Sequence, residues 1–308
     1  RRSKMKIQNR AKICLCISIV IMLVAVVMSL TGHGINYGID FAGGLNLQYD
    51  MGSTYDKADV EEALKAQGIE EFVVSTVGSE GTAVQIRVPT LSDEDEVQNL
   101  QNGLETTLLE KYPNMDTDNA TASYVGPVAG ATLVRNAIFS VLIAAVLMLI
   151  YIAFRFDLFS GVAAVAGLLH DVLIMISFMV ILRNVIQMNS SFIAAMLTIV
   201  GCSINNTIVI FDRIRENNKK PALAGQPRSE IVELSVKESL GRTINTTLTT
   251  LVTIVTLYIL GVASIREFSL PIIIGILAGA YSANLINGYV WAALEDARLA
   301  RKSQKKAA

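Results

Sequence analysis

The chain has 308 residues, of which 52% are hydrophobic and 17% charged, and its formal net charge is −1. That balance is far too apolar for a soluble enzyme, and it offers no overall basic surface for a nucleic-acid partner. Three cysteines in apolar stretches (Cys14, Cys16, Cys202) and only two histidines (His33, His170) exclude a disulfide framework and a histidine metal centre. Cys14 and Cys16 read as small polarizable residues of a lipid helix, not as metal ligands.

Crossing a bilayer as a helix takes ~20 predominantly apolar residues. Six stretches meet that length, at 11–30, 133–154, 158–182, 188–211, 242–264 and 268–294. The expected fold is an α-helical membrane protein with six transmembrane helices. The first stretch lacks a small-residue cleavage site and reads as a retained anchor, not a signal peptide. The chain begins at Arg1 without a methionine, which suggests a trimmed start.

Basic residues set the orientation. They crowd the amino-terminal tail 1–10 (Arg1, Arg2, Lys4, Lys6, Arg10, with Lys12 just inside the first helix) and the carboxyl-terminal tail 295–308. A third cluster, from Arg213 to Lys237, occupies the expected loop after the fourth helix. An even number of spans puts all three on the cytoplasmic side. Residues 31–132 carry 17 Asp or Glu against 4 Lys or Arg and fall on the opposite side.

Within that insert the periodicities alternate between two and 3.6. Leu45–Tyr49, Phe72–Val77, Thr82–Val88 and Thr121–Val125 read as strands. Asp56–Gln67 reads as a helix ended by Gly68, and a second helix begins with Ser92 and Asp95 at capping-box spacing. The Gly78–Gly81 stretch joins the middle strands. The order β-α-β-β-α-β is that of an α+β ferredoxin-like domain inserted between helices 1 and 2.

Glycine-rich segments flank the insert. Asp40, Gly43 and Gly44 lie in one, and Gly126 and Pro127 in the other. Such glycines either let the chain turn from membrane to domain or act as hinges on which the domain swings. The first segment lacks dinucleotide-binding spacing, and no GxxxxGK occurs, so ATP hydrolysis is not expected.

Polar residues inside the apolar stretches are the informative chemistry, because lipid penalises them. Asp171, beside His170, falls about halfway along the third span, where a carboxylate costs ~2.5–3.5 kcal/mol on insertion scales. It is either a packing tie or a protonatable or cation-binding site. Asn205 and Asn206 lie deep in the fourth span, while Asp212 and Arg213 mark its cytoplasmic boundary.

In the fifth span, Asn245, Thr246, Thr249, Thr250, Thr253 and Thr256 follow Arg242 at 3, 4, 7, 8, 11 and 14 residues. That spacing draws a polar stripe along one helix face, expected to turn toward the bundle interior. Arg242 either snorkels to the interface or gates an ion path by pairing with a carboxylate. In the sixth span, Gly275, Gly279, Ala283 and Asn287 repeat every four residues, a pattern for close helix packing.

Several motifs together resemble one family. Gly38-Ile-Asp-Phe-Ala-Gly-Gly44 is similar to GIDFTGG of the SecF family, with Ala42 for its usual threonine. Gly126-Pro127, Phe154-Arg-Phe156, Leu169-His-Asp-Val172, Phe211-Asp-Arg-Ile-Arg-Glu-Asn217 and Arg242-Thr243 follow in the family's order.

The resemblance implies a multi-pass protein of the bacterial cytoplasmic membrane, related in design to RND-type transporters and paired with SecD. It implies no cofactor, and use of a proton or sodium gradient to draw unfolded preprotein from the SecYEG channel after SecA has pushed it, with YidC as a further neighbour. Taken with the polar and small residues read above, the expected ion pathway runs through Asp171, Asn205, Asn206 and Arg242, with Asp212, Arg213, Thr246, Thr249, Thr250, Gly275 and Gly279 at helix interfaces or gates. Many members carry aspartate where this chain has Asn206, and an amide cannot titrate. An aspartate of SecD, aligned with Asn205, would then be the main proton carrier.

Two other roles share the membrane block. One is a subunit of an RND-type efflux transporter for lipids or small solutes, although about 100 external residues are few for a substrate pocket. The other is a passive scaffold for membrane-protein assembly. No nucleophile–base arrangement marks an enzyme.

Overall fold

The computed structural model describes residues 7–77, 81–89 and 94–307. The first six residues, the Gly78–Glu80 part of the expected turn, and Ser92 of the expected capping box lie outside them.

Helix α1 (Ile7–Leu30) is apolar on every side, and Ile13, Ile17, Val20, Leu23 and Val27 remain exposed on it. A helix hydrophobic all round finds its solvent in lipid. A single turn, α2 (Ile39–Ala42), then leads through Gly43 (φ +78°) into strand β1 (Gly44–Asp50). After β1 come α3 (Lys57–Ala66), β2 (Val73–Val77), β3 (Ala83–Val88), α4 (Glu94–Lys111) and β4 (Asp116–Val125). The Asp56 side chain accepts the Ala58 N–H at 3.0 Å, capping α3, and Gly68 at φ +80° ends that region.

The strands pair antiparallel in the order β2-β3-β1-β4, with Leu45 opposite both Val88 and Tyr124. With its two helices this is the ferredoxin-like arrangement. The last strand starts at Asp116, five residues before the alternation expected from Thr121, because Asp116 pairs with Asp50 across a register shift. Alternation sorts the sheet's two faces. Leu45, Leu47, Tyr49, Val84, Ile86 and Val88 are buried against Val60 and Leu64 of α3 and Leu100, Leu104 and Leu108 of α4. Each such side chain stabilises the fold by about 1.5–3 kcal/mol when fully buried. Gln48, Ser75, Gln85 and Arg87 belong to the other face and line a cleft of about 870 Å³ between sheet and bundle.

Helices α5 (Pro127–Arg155), α6 (Leu158–Ile181), α7 (Ser190–Asn218), α8 (Arg228–Leu260), α9 (Ala263–Ser282) and α10 (Gly288–Ala307) complete the chain. A π-turn, Ala283–Asn287, joins α9 to α10 as one continuous rod. Among the described residues, six segments are long and apolar enough to cross a membrane: Ala11–Leu30, Gly130–Arg155, Leu158–Ile181, Ser190–Asn218, Arg228–Leu260 and Ile265–Arg301.

The expected cytoplasmic loop from Arg213 to Lys237 needs correction. Arg213 and Arg215 continue α7, Arg228 and Lys237 already belong to α8, and only residues 219–227 connect them. Side-chain pairing holds the two extensions together. Arg213 Nε donates to Glu238 at 2.7 Å, and the fully buried Asn217 donates to Ser235 Oγ at 2.9 Å and to Glu238 at 2.7 Å. The fifth span correspondingly ends at Leu260, not 264, because the chain turns at Gly261.

Helices α6, α7 and α9 form the centre of the bundle. A Cβ at Gly275 would run into the Ile199 side chain, and one at Gly279 would lie 3.0 Å from Ser203 Cβ. Only glycine permits α9 this close to α7.

Candidate functional site

Asp171 is fully buried in α6. Its Oδ2 accepts from Ser203 Oγ of α7 at 2.5 Å and from Ser282 Oγ of α9 at 3.0 Å, and its Oδ1 lies 2.9 Å from His170 Nδ1. The His170 ring turns its Nε2 outward to Ser18 Oγ of α1 and Tyr281 OH of α9, each at 2.9 Å. Those two hydroxyls are 2.5 Å apart. No Lys or Arg pairs with Asp171 among the described residues. One carboxylate and one imidazole thus join four helices through hydroxyls alone.

The π-turn extends this polar seam. It turns Asn284 toward Thr243 Oγ1, 3.1 Å away, and Asn287 toward Thr207 Oγ1, to which it donates at 2.9 Å. π-turns recur at functional sites because they re-aim side chains within a helix. Gly167, one turn before Asp171, leaves the room that the Asn287 amide fills.

The two central amides part company. Asn206 is buried and donates to Thr247 Oγ1 at 3.4 Å, whereas Asn205 is exposed on the neighbouring face. Both line a small cleft of about 60 Å³ with Cys202, Ser203, Thr246, Thr247, Thr250 and Gly279. Ser203 therefore borders the cleft while holding Asp171.

The α8 stripe meets the expectation only in part: Thr246 and Thr250 border the cleft with α7, and the rest turns away from the bundle. Arg242, Asn245, Thr246, Thr249, Thr253 and Thr256 are exposed and Thr250 half-buried; the face turned into the bundle carries Ile231, Val232, Ser235, Val236, Ser239 and Thr243. The threonines satisfy their hydroxyls on their own helix, as Thr246 does on Arg242 O at 2.8 Å and Thr250 on Thr246 O at 3.0 Å. Such back-bonding removes the need for an interior partner. Arg242 has no ion-pair partner among the described residues.

At the α7 end, Asp212 is exposed, while Arg213 bridges Glu216 and Glu238. At the other end, Asp40 of α2 accepts the Ser190 N–H at 2.7 Å and also the Ser190 hydroxyl, so it is tied to the first residue of α7. Gly38 N donates to Met188 O at 2.8 Å. Gly44 (φ +111°) sits so close to Val88 and Pro89 that no side chain fits. A Cβ at Gly126, which precedes Pro127 at the start of α5, would meet nothing within 4 Å, whereas one at Gly130 would lie 2.9 Å from Phe41 O. The first glycine segment is fastened to the bundle, and the second holds the one unobstructed glycine of the pair.

Residue patterns alone passed over Ser18, Tyr281, Ser282, Thr247 and Asn284. The available signal was weak: single hydroxyls in apolar helices, with Ser282 three residues after Gly279. Among the described residues, no three His, Cys, Asp or Glu side chains group as metal ligands.

A ferredoxin-like domain inserted after the first of six membrane-crossing helices, over a bundle threaded by a buried polar seam, defines a polytopic membrane protein of transporter-like build. The chain belongs to the SecD/SecF family of protein-export membrane proteins. The family's C-terminal region matches residues 105–297, and its GG motif matches residues 29–53.

"Protein translocase subunit SecF" of Rickettsia bellii is 34% identical over 279 residues, covering 91% of this chain and 89% of that protein. "Protein translocase subunit SecDF" of Bacillus subtilis is 32% identical over 288 residues, covering 91% of this chain but 37% of its own. The crystal structure of a translocon-associated SecDF from Thermus superposes with a TM-score of 0.78 at 33% identity. That match covers 94% of this chain and 38% of the SecDF chain. The chain is a multi-pass membrane protein with a role in protein export.

Proposed function

We propose that the chain is the smaller, six-helix half of a gradient-driven export machine, working beside a SecD-type sister in the same membrane. The observation that carries this is the outward polar face of α8. A helix that presents Arg242, Asn245, Thr249, Thr253 and Thr256 away from its own bundle is poorly suited to lipid. It suits a second bundle that brings a carboxylate to Arg242 and to the cleft at Asn205 and Asn206.

The basic termini and the basic α7–α8 junction favour a cytoplasmic location for both ends, with the acidic insert outside. Protons or sodium ions moving through the paired bundles would shift the insert, and no cofactor is called for. One charge crossing the membrane releases about 2.3 kcal/mol per 100 mV. That is enough to bias a two-state domain arrangement but supplies no covalent chemistry. The work done is withdrawal of unfolded preprotein from the SecYEG channel after SecA has acted, with YidC as a further neighbour.

Purifying the tagged chain from its native membranes in mild detergent tests the partnership. Recovery with a larger six-helix sister and the SecYEG channel supports it, and recovery without either rejects it. Collapsing the ion gradient in secreting vesicles tests the energy source, because a passive scaffold would keep its effect.

A further inference from the structure

We propose that His170 and Asp171 form a one-proton site that is loaded from the Asn205–Asn206 cleft through the Ser203 hydroxyl and read out on α1 through Ser18. The inference deepens the gradient-coupled function above and rests on it.

Geometry carries it. Ser203 lines the cleft and also donates to Asp171 Oδ2 at 2.5 Å. The cleft's volume of about 60 Å³ exceeds the roughly 10–15 Å³ that an ordered water requires, and its amide and hydroxyl lining can bind one. A proton arriving there is taken up by Ser203 Oγ as the hydroxyl passes its own proton to Asp171 Oδ2. Ser203 is unchanged, the hydronium formed on the cleft water has returned to water, and the His170–Asp171 pair has gained one proton.

That gain cannot leave the surrounding bonds as they are. Oδ2 accepts from Ser203 and Ser282 together; once protonated it must donate to one of them, so a tie to α7 or to α9 reverses. Neutralising Asp171 also removes the charge that faces His170 Nδ1 across 2.9 Å, so the ring is held less firmly and its Nε2 contacts with Ser18 and Tyr281, both at 2.9 Å, are loosened. Ser18 has a second acceptor in Cys14 O at 3.0 Å. The proton is thereby felt on α1, the helix that leads to the insert.

The titratable groups facing the pair are Tyr281 of α9 and, behind Ser18, Cys14 of α1. Helix α7 contributes Ser203 and Thr207, and the π-turn contributes Asn284 and Asn287, none of which is charged.

The test is an infrared difference titration of the full chain, purified with its sister subunit in detergent. A protonated-carboxyl band is expected that vanishes in Asp171→Asn and changes its frequency in His170→Gln, which removes the ring beside Oδ1. In Ser203→Ala the band is expected to exchange with deuterium at least tenfold more slowly, with recovery in Ser203→Thr. A carboxyl band that survives Asp171→Asn, or unaltered exchange in Ser203→Ala, overturns the proposal.

Export by vesicles separates this inference from its foundation. Gradient-stimulated export that persists in Asp171→Asn defeats the one-proton site and leaves gradient coupling standing. Wild-type export indifferent to gradient collapse defeats the coupling, while the infrared result still decides whether the site takes a proton.

Discussion

The Asp40 carboxylate accepts the backbone N–H of Ser190 at 2.7 Å, so the glycine segment leading into the inserted domain is clamped to the first turn of α7. The same helix holds Ser203 against Asp171 in its middle and Asn217 against Glu238 at its far end. A displacement of the insert therefore has a direct mechanical route to the cleft.

Removing that clamp should loosen both domain and helix. Asp40→Ala removes the acceptor of the Ser190 N–H and hydroxyl and is expected to cost about 1–3 kcal/mol. Asp40→Asn should recover part of it, since an amide oxygen still accepts. Thermal melts of the purified protein provide the measurement, and equal melting of wild type and Asp40→Ala would show that the clamp does not hold.

Close packing of α9 on α7 depends on Gly275. Gly275→Leu drives a side chain into Ile199 and should destabilise the bundle by about 1–3 kcal/mol. Combining it with Ile199→Ala should return part of the loss, because neighbouring sites couple. Strict additivity in a double-mutant cycle would contradict this contact.

Arg242→Ala is expected to abolish gradient-stimulated secretion, a loss of about 1–3 kcal/mol of coupling free energy, while the complex still assembles. Arg242→Lys keeps the charge but loses the planar guanidinium, so partial activity is expected. Secretion assayed with and without an ionophore decides it. Unchanged stimulation in Arg242→Ala removes the residue from any gating role.

The insert carries its own pH dependence. The Tyr112 hydroxyl and then the Lys111 ammonium hold the Asp59 carboxyl below its usual range, and Asp59 with Glu62 holds Lys111 above its own. A depressed carboxyl contributes stability above its unfolded value of about 3.9, lost as pH falls through the lower folded value. A raised lysine contributes below about 10.4, lost as pH climbs through its folded value. The Asp59→Asn variant should therefore melt lower than wild type at neutral pH and converge with it in acid. Melts at neutral pH and at about pH 3 check the sign; a constant gap across that range would refute it.

Much of this architecture was legible before any coordinates. Apolar length announces a lipid-spanning helix because the bilayer sets one requirement for every such segment. The strand and helix pattern of the insert is equally local: Leu45, Leu47 and Tyr49 alternate, and Val60 and Leu64 share a helix face, so pattern and burial coincide. The α8 stripe was misjudged in part, Thr246 and Thr250 alone turning to the cleft, for a physical reason. Periodicity shows that Arg242, Thr246 and Thr249 share a face but cannot say which neighbour that face meets, and the threonines bond their own helix. The loop expected from Arg213 to Lys237 failed likewise, because charge clusters mark the membrane boundary without ending a helix.

By itself the sequence determined what each segment can dissolve in: six helices in lipid, one α+β domain in water, and a basic-to-acidic polarity between the two sides. Those properties depend on composition over neighbouring residues. Only the tertiary structure decided that Ser18, His170, Asp171, Ser203, Tyr281 and Ser282 form one connected group. They come from four helices and span residues 18 to 282, a separation across which local pattern carries no information. Their meeting depends on Gly279, which brings α9 within reach of Ser203, and so on packing distances that exist only in the folded bundle.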